Sequence, residues 1–111
     1  MGKAFVEPGA LRSRLVLQSV TAVPDGLGGF AENWVDVATV FARLEPVSAD
    51  SRFGAGQTLE TVTHRVTLRH RPGIEAGMRF AAGGRHFEIV TVHDPDESGR
   101  YLLCRTRETD T

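Results

Sequence analysis

The feature of this sequence that most constrains its fold is a two-residue alternation that runs without a break from Thr61 to Arg71. One set of alternate positions holds Val62, His64, Val66, Leu68 and His70, and the other set holds only threonine and arginine. Because successive side chains of a β-strand point to opposite faces, this pattern predicts a strand with one face in solvent. Its β-branched residues favour the same structure, since they pack well on a pleated surface.

The same period recurs along most of the chain. We predict further strands over Leu11 to Val20, Asn33 to Glu45, a short segment around Met78 and Phe80, Arg85 to His93, and Tyr101 to Arg107. The second of these is apolar on both sides, which is typical of a strand covered on both faces. Glycine, proline and aspartate clusters separate the strands and predict turns. The sequence therefore predicts an all-β fold, a small single-domain β-barrel of about six strands or a sandwich.

One segment, from Val47 to Leu59, breaks the alternation. It is small, polar and glycine-bearing, and it is too long for an ordinary hairpin turn. Long loops in compact domains usually carry function. We therefore expect one domain over residues 1–111, with a flexible N-terminus over 1–8, a long inserted loop over 47–59 and a polar tail over 108–111 that frays.

Composition restricts the class of partner. The 111 residues suffice for one modest core. Thirteen Lys and Arg against fourteen Asp and Glu give a net charge of -1, so no global positive field attracts nucleic acid or an anionic membrane. Lys3 is the only lysine among the basic residues, and arginine suits paired contacts at interfaces. A single cysteine, Cys104, with no signal peptide and no apolar run long enough to span a bilayer, predicts a soluble protein of cytosolic origin.

Two groups of residues suggest a metal site, and in both the spacing favours another interpretation. His64 and His70 share a strand face but lie roughly 20 Å apart along an extended chain. Asp94, Asp96 and Glu97 lack the spacing of a calcium-binding EF-hand loop, so a solvated hairpin tip is the better interpretation. We predict no metal and no cofactor.

The sequence gives equally little support for a catalytic group of residues or for a phosphate-binding loop. Cys104 alternates with Leu102 and Thr106 in a strand, where a cysteine is usually a small packed hydrophobe. The glycine-rich stretch from Asp25 to Gly29 lies between strands, whereas a phosphate-binding loop needs a following helix. The arginine-threonine face of residues 61–71 lacks the aromatic residues that stack on nucleic-acid bases, which favours a contact with another subunit. We therefore predict no catalytic residues and a protein that is not an enzyme.

The order of short motifs along the chain resembles the phage head-tail joining family, whose members are called stoppers or head completion proteins. The matching segments are Gly9 to Gln18, Asp25 to Gly29 with Trp34, Ala42 to Pro46, Thr63 to Arg69, Gly73-Ile74, Gly77 to Phe80, Gly84 to Ile89 and Gly99 to Leu102. The resemblance covers roughly Gly9 to Glu108. No single motif is diagnostic, and the ordered set carries the resemblance.

The resemblance implies a ring of subunits at the joint between head and tail of a phage or phage-like particle. Its partners would be other copies of the chain, a portal-side adaptor ring, a tail-terminator or tail-tube protein, and double-stranded DNA that passes through without sequence readout, with no membrane. The inserted loop would narrow the DNA channel, with Gly54 and Gly56 permitting movement. The implied channel-loop residues are Ser48, Asp50, Ser51, Arg52, Phe53, Gly54, Gly56 and Gln57. Ring contacts would involve Arg12, Arg14, Arg65, Arg69 and Arg71.

Three alternatives remain open from the sequence. Within the same type of particle, the chain could be a tail-terminator or an adaptor ring component, although such adaptors are generally helical. A free oligonucleotide-binding barrel would bind single strands with a steep salt dependence. A small hydrolase would need a convergent polar pocket, for which the sequence offers no residues.

Overall fold

The computed structural model describes residues 11–47 and 62–109, which form six β-strands. The strands are β1 (Ser13–Pro24), β2 (Phe30–Pro46), β3 (His64–Arg69), β4 (Arg79–Ala82), β5 (Arg85–His93) and β6 (Tyr101–Thr109). Their order is β1-β2-β3-β6-β5-β4, every neighbouring pair is antiparallel, and β4 pairs with β1 to close a barrel. The predicted all-β barrel is confirmed.

The alternating residues form the barrel interior. Leu15 and Leu17 of β1 and Val66 and Leu68 of β3 are almost fully buried, at positions two residues apart. The other inward positions hold Val40, Ala42, Phe80, Phe87, Ile89, Leu102 and Cys104, joined by Ile74 from the β3–β4 connection. Each large apolar side chain among them adds to the stability of the fold, because removing it from water contributes about 1.5–3 kcal/mol.

Two irregularities interrupt the strand registers. The β5–β6 register shifts between Ile89 and Thr91, so Val92 packs against the core while Thr91 is exposed, contrary to the simple alternation. The β1–β2 register also shifts, between Leu17 and Gln18. Such bulges insert one extra residue into a strand and increase the local twist.

The expectation that β2 is covered on both faces is wrong. Val35, Val37 and Phe41 are 44%, 50% and 59% exposed. The reason is geometric: β2 is longer than its neighbours, and β3 pairs only with its last part, from Ala42 to Pro46.

The strand ends also differ from the expected bounds. β1 extends to Pro24, beyond the expected end at Val20, and β3 is confined to residues 64–69. β6 includes Glu108 and Thr109, which we expected in the fraying tail, because Glu108 pairs with Phe87 in β5. The expected flexible segment 1–8, the loop residues 48–59 and the last two residues of the tail lie outside the described residues.

Candidate functional site: assembly surfaces

The predicted loop starts and ends on two adjacent strands. Pro46 lies opposite His64 in the β2–β3 pair, and the N–H of Val47 donates to the carbonyl of Thr63 at 2.9 Å. Thr63 is held in turn by β6, because its N–H donates to the carbonyl of Thr106 at 2.8 Å and its hydroxyl accepts the N–H of Glu108 at 2.7 Å. The loop therefore leaves a firmly hydrogen-bonded barrel end. Its predicted channel residues, from Ser48 to Gln57, lie outside the described residues.

Ion pairs surround this end of the barrel on its outer surface. Glu45 contacts Arg43 at 3.2 Å and Arg65 at 3.4 Å. Glu108 accepts two hydrogen bonds from Arg85, at 2.8 and 3.2 Å, and these bonds lower the pKa of the Glu108 carboxyl below its usual value. Exposed pairs of this kind add little stability, typically about 0–1 kcal/mol each. Arg65, predicted as a ring contact, is thus already paired within its own chain.

A groove beside β2 and β3 brings together two of the other predicted arginines. Arg69 and Arg71 line it together with His70, and its apolar lining comes from Leu11, Val40, Phe41 and Leu68. The cavity volume is about 310 Å³. The Nε of Arg71 is buried and has no hydrogen-bond partner among the described residues. Arg14 lies opposite Phe41 in the β1–β2 pair, whereas Arg12, which is exposed, does not line the groove.

A long two-stranded ribbon extends from the barrel, and the sequence pattern did not predict it. It comprises residues 19–35, the outer parts of β1 and β2, which pair with each other only: β4 reaches β1 no further than Gln18, and β3 reaches β2 no further than Ala42. Large apolar side chains stand exposed along it, including Leu27 at 90% and Phe30 at 71%. Residues 15–42, which include the ribbon, contain three acidic residues and no basic ones.

The turn at the ribbon tip is locally ordered. The carboxylate of Asp25 accepts the N–H groups of Leu27 at 2.8 Å and Gly29 at 3.1 Å, and the N–H of Asp25 donates to the carbonyl of Gly29 at 3.1 Å. Gly26 and Gly28 adopt positive φ angles of 81° and 86°, which an L side chain would strain. The prediction that this stretch is a turn is confirmed. The hydrogen bonds of the turn fix its backbone, and the side chain of Leu27 lies in solvent.

The root of the ribbon is braced against the barrel. The Nε of Arg79 donates to the Gln18 amide oxygen at 2.7 Å, and the Gln18 amide nitrogen donates to Asp36 at 2.8 Å. The Arg79 guanidinium also lies 4.0 Å from the ring centroid of Trp34, a cation–π contact. These contacts join β4 to both ribbon strands, so we expect the ribbon to keep its direction relative to the barrel.

The acidic turn between β5 and β6 is a self-contained hairpin tip. Asp94 accepts the N–H groups of Asp96 at 3.3 Å and Gly99 at 2.7 Å, and Asp96 accepts the N–H of Ser98 at 3.1 Å. The carboxylates thus satisfy backbone donors of their own turn. Within the described segments no group of three or more His, Cys, Asp and Glu is placed to hold a metal ion, and no helix there could cross a membrane.

Cys104 lies in the barrel interior, and burial raises the pKa of its thiol to about 12. Because the thiolate is the reactive form, we expect a thiol reagent at pH 8 to modify the folded protein at least about 100-fold more slowly than the protein in guanidinium chloride. A Leu27→Cys chain serves as the control, because its second thiol is exposed and should react at once. Equal reactivity of Cys104 in both states would contradict this burial.

These features define the class of protein: a small closed β-barrel that carries an exposed apolar ribbon and a groove on its outer surface. The chain belongs to the phage head completion protein family, whose model matches residues 6–109. It is accordingly a structural component of the head–tail interface of a virion and not an enzyme. The resemblance inferred from the motif order is confirmed.

Two solved structures are similar over nearly their whole lengths. One is a chain from the virion of a native gene transfer agent particle, with 30% identity, a TM-score of 0.67, and coverage of 91% of this chain and 97% of that one. The other is protein SF1141 from Shigella flexneri 2a, with 30% identity, a TM-score of 0.65, and coverage of 91% and 96%. A search of curated proteins gave no significant match.

Proposed function

We propose that the chain is a stopper-type connector subunit that forms a ring between the portal-side adaptor and the tail. In this proposal residues 47–59 face the central channel and gate the passage of double-stranded DNA. The observation that carries it is the anchoring of the inserted segment on the ends of β2 and β3, where Val47 and Thr63 are hydrogen-bonded. A loop held at both ends by a closed barrel can reach into a channel while the barrel stays in the ring.

The direction of the strands supports contacts on two sides. Because neighbouring strands are antiparallel, the β2–β3 connection leaves one end of the barrel, and the β1–β2 and β5–β6 connections leave the other. A connector between head and tail needs two such different ends. The nearly neutral charge of the chain suits a channel through which DNA slides, because affinity for phosphate grows with each Lys or Arg contact.

Deletion of Ser51 to Gln57 tests the gating role. We expect particles that still build heads but lose their packaged DNA or fail to acquire tails, measured as nuclease-protected DNA and by electron microscopy. A chain in which the same seven positions are replaced by glycine and serine keeps the length, so it separates the role of the side chains from that of loop length. Tailed particles that retain DNA after the deletion would exclude gating by this loop.

A further inference from the structure

We propose that the β1–β2 ribbon of one copy docks into the arginine-edged groove of the next copy, so that this head-to-tail contact builds the ring. The inference rests on the proposed function and adds the two surfaces that meet. The ribbon surface consists of residues 19–35, and the groove surface consists of Leu11, Thr39 to Phe41 and Leu68 to Arg71.

The two surfaces are complementary in charge. The ribbon carries Asp25 and Glu32 and no basic residue. Of the described residues that line the groove, Arg69, His70 and Arg71 are basic and none is acidic. Ribbon against ribbon and groove against groove would each bring like charges together, whereas ribbon against groove pairs opposite ones.

The surfaces also match in their apolar parts. Leu27 and Phe30 expose most of their side chains at the ribbon tip. The groove offers the exposed ring of Phe41 and the half-buried side chain of Leu11, and its volume of about 310 Å³ suits one or two side chains. Burial of exposed apolar groups is the main driving force of association. The Nε of Arg71, which has no hydrogen-bond partner in the part of the chain that the structure describes, would gain an acceptor from a docked ribbon.

The ribbon cannot fill the groove of its own chain, so a ribbon that docks there comes from a second copy. Thr39 and Val40, which line the groove, belong to β2, the strand that runs on from the ribbon. Leu27 lies twelve residues before Thr39, which is about 40 Å along an extended strand. The contacts of Arg79 with Gln18 and Trp34 hold the ribbon root and oppose folding back. Two different complementary patches on one chain form a heterologous contact, the kind that closes into rings.

Cross-linking of purified full-length chains tests the contact. A Phe30→Cys chain and an isotope-labelled His70→Cys chain are mixed with a short bis-maleimide at high protein concentration, and the products are identified by mass spectrometry. Cys104 is buried, so it should not compete. We expect a cross-link between the two different chains, with a yield that falls as salt rises because the paired charges are screened.

Matched variants and alternative products decide the result. Arg69→Glu in the His70→Cys chain should lower the cross-link yield at least about 10-fold, whereas Arg100→Glu on the β5–β6 hairpin should leave it unchanged. No mixed product, or a dominant product between two Phe30→Cys chains, would overturn the contact. Protection of the His70→Cys thiol by duplex DNA, without a mixed cross-link, would assign the groove to DNA and also overturn it. These readouts need no particle, so their failure is distinct from failure of the gating test.

Discussion

Replacing Phe80 by alanine should destabilise the protein by about 3–5 kcal/mol, the largest effect we expect from removal of apolar volume. Phe80 is fully buried in the shortest strand, β4, and pairs with Phe87 of β5, which is also fully buried. Loss of the phenyl ring of Phe80 would leave a cavity, because the strands of a closed barrel cannot move together to fill it. Domains of this size have a total stability of about 5–15 kcal/mol, so the variant would be close to unfolding.

Urea unfolding followed by circular dichroism measures this change as a lower midpoint at an unchanged slope. Phe30→Ala is the matched control, because Phe30 is 71% exposed on the ribbon. We expect the control to stay within about 0.5 kcal/mol of the parent chain. Similar losses for the two variants would mean that Phe80 does not occupy the barrel interior.

Placing a carboxylate in the barrel through Val66→Asp should prevent folding at neutral pH. Val66 is fully buried, and its neighbours across the strands are Leu44 and Cys104, neither of which can neutralise a charge. A buried unpaired charge is among the few changes that cost more than about 4 kcal/mol. The variant should show no cooperative unfolding transition at pH 7.

The control for this change is Val37→Asp, the same substitution at a residue of β2 that is 50% exposed. We expect its free energy of unfolding to fall by less than about 1 kcal/mol. A folded Val66→Asp protein with a normal transition would contradict the inward orientation of β3. The pair therefore tests the two-residue alternation, from which the fold was predicted.

The barrel was predictable because its signal is local. Val66, Leu68, Phe80, Phe87 and Ile89 occupy alternate positions, and a strand places alternate side chains on one face whatever its neighbours are. The turn from Asp25 to Gly29 was predictable for a similar reason, since glycine permits positive φ and an aspartate can accept hydrogen bonds from the N–H groups of its own turn.

The candidate contact surfaces were only partly predictable. Arg69 and Arg71 were singled out on the sequence, and the structure places both beside the same groove, together with Phe41. Arg65 was singled out on the same strand, yet it lies against Glu45 at the loop-bearing end. Residues at alternate positions share a face, but the strand paired beside each one determines its neighbours. Sequence spacing does not contain that information.

The sequence by itself determined the strand content, most of the inward residues and the family, because side-chain alternation and motif order are properties of the chain alone. Val92 is an exception, since the register shift after Ile89 turns it towards the core in place of Thr91. Only the tertiary structure decided that β1 and β2 extend beyond the ends of the neighbouring strands β4 and β3. Barrel closure fixes how far β3 and β4 pair with these two strands, and the part in which β1 and β2 pair only with each other is the exposed ribbon. The apolar run in β2 suggested burial on both faces, whereas residues 30–41, twelve of the seventeen in that strand, have no partner in β3.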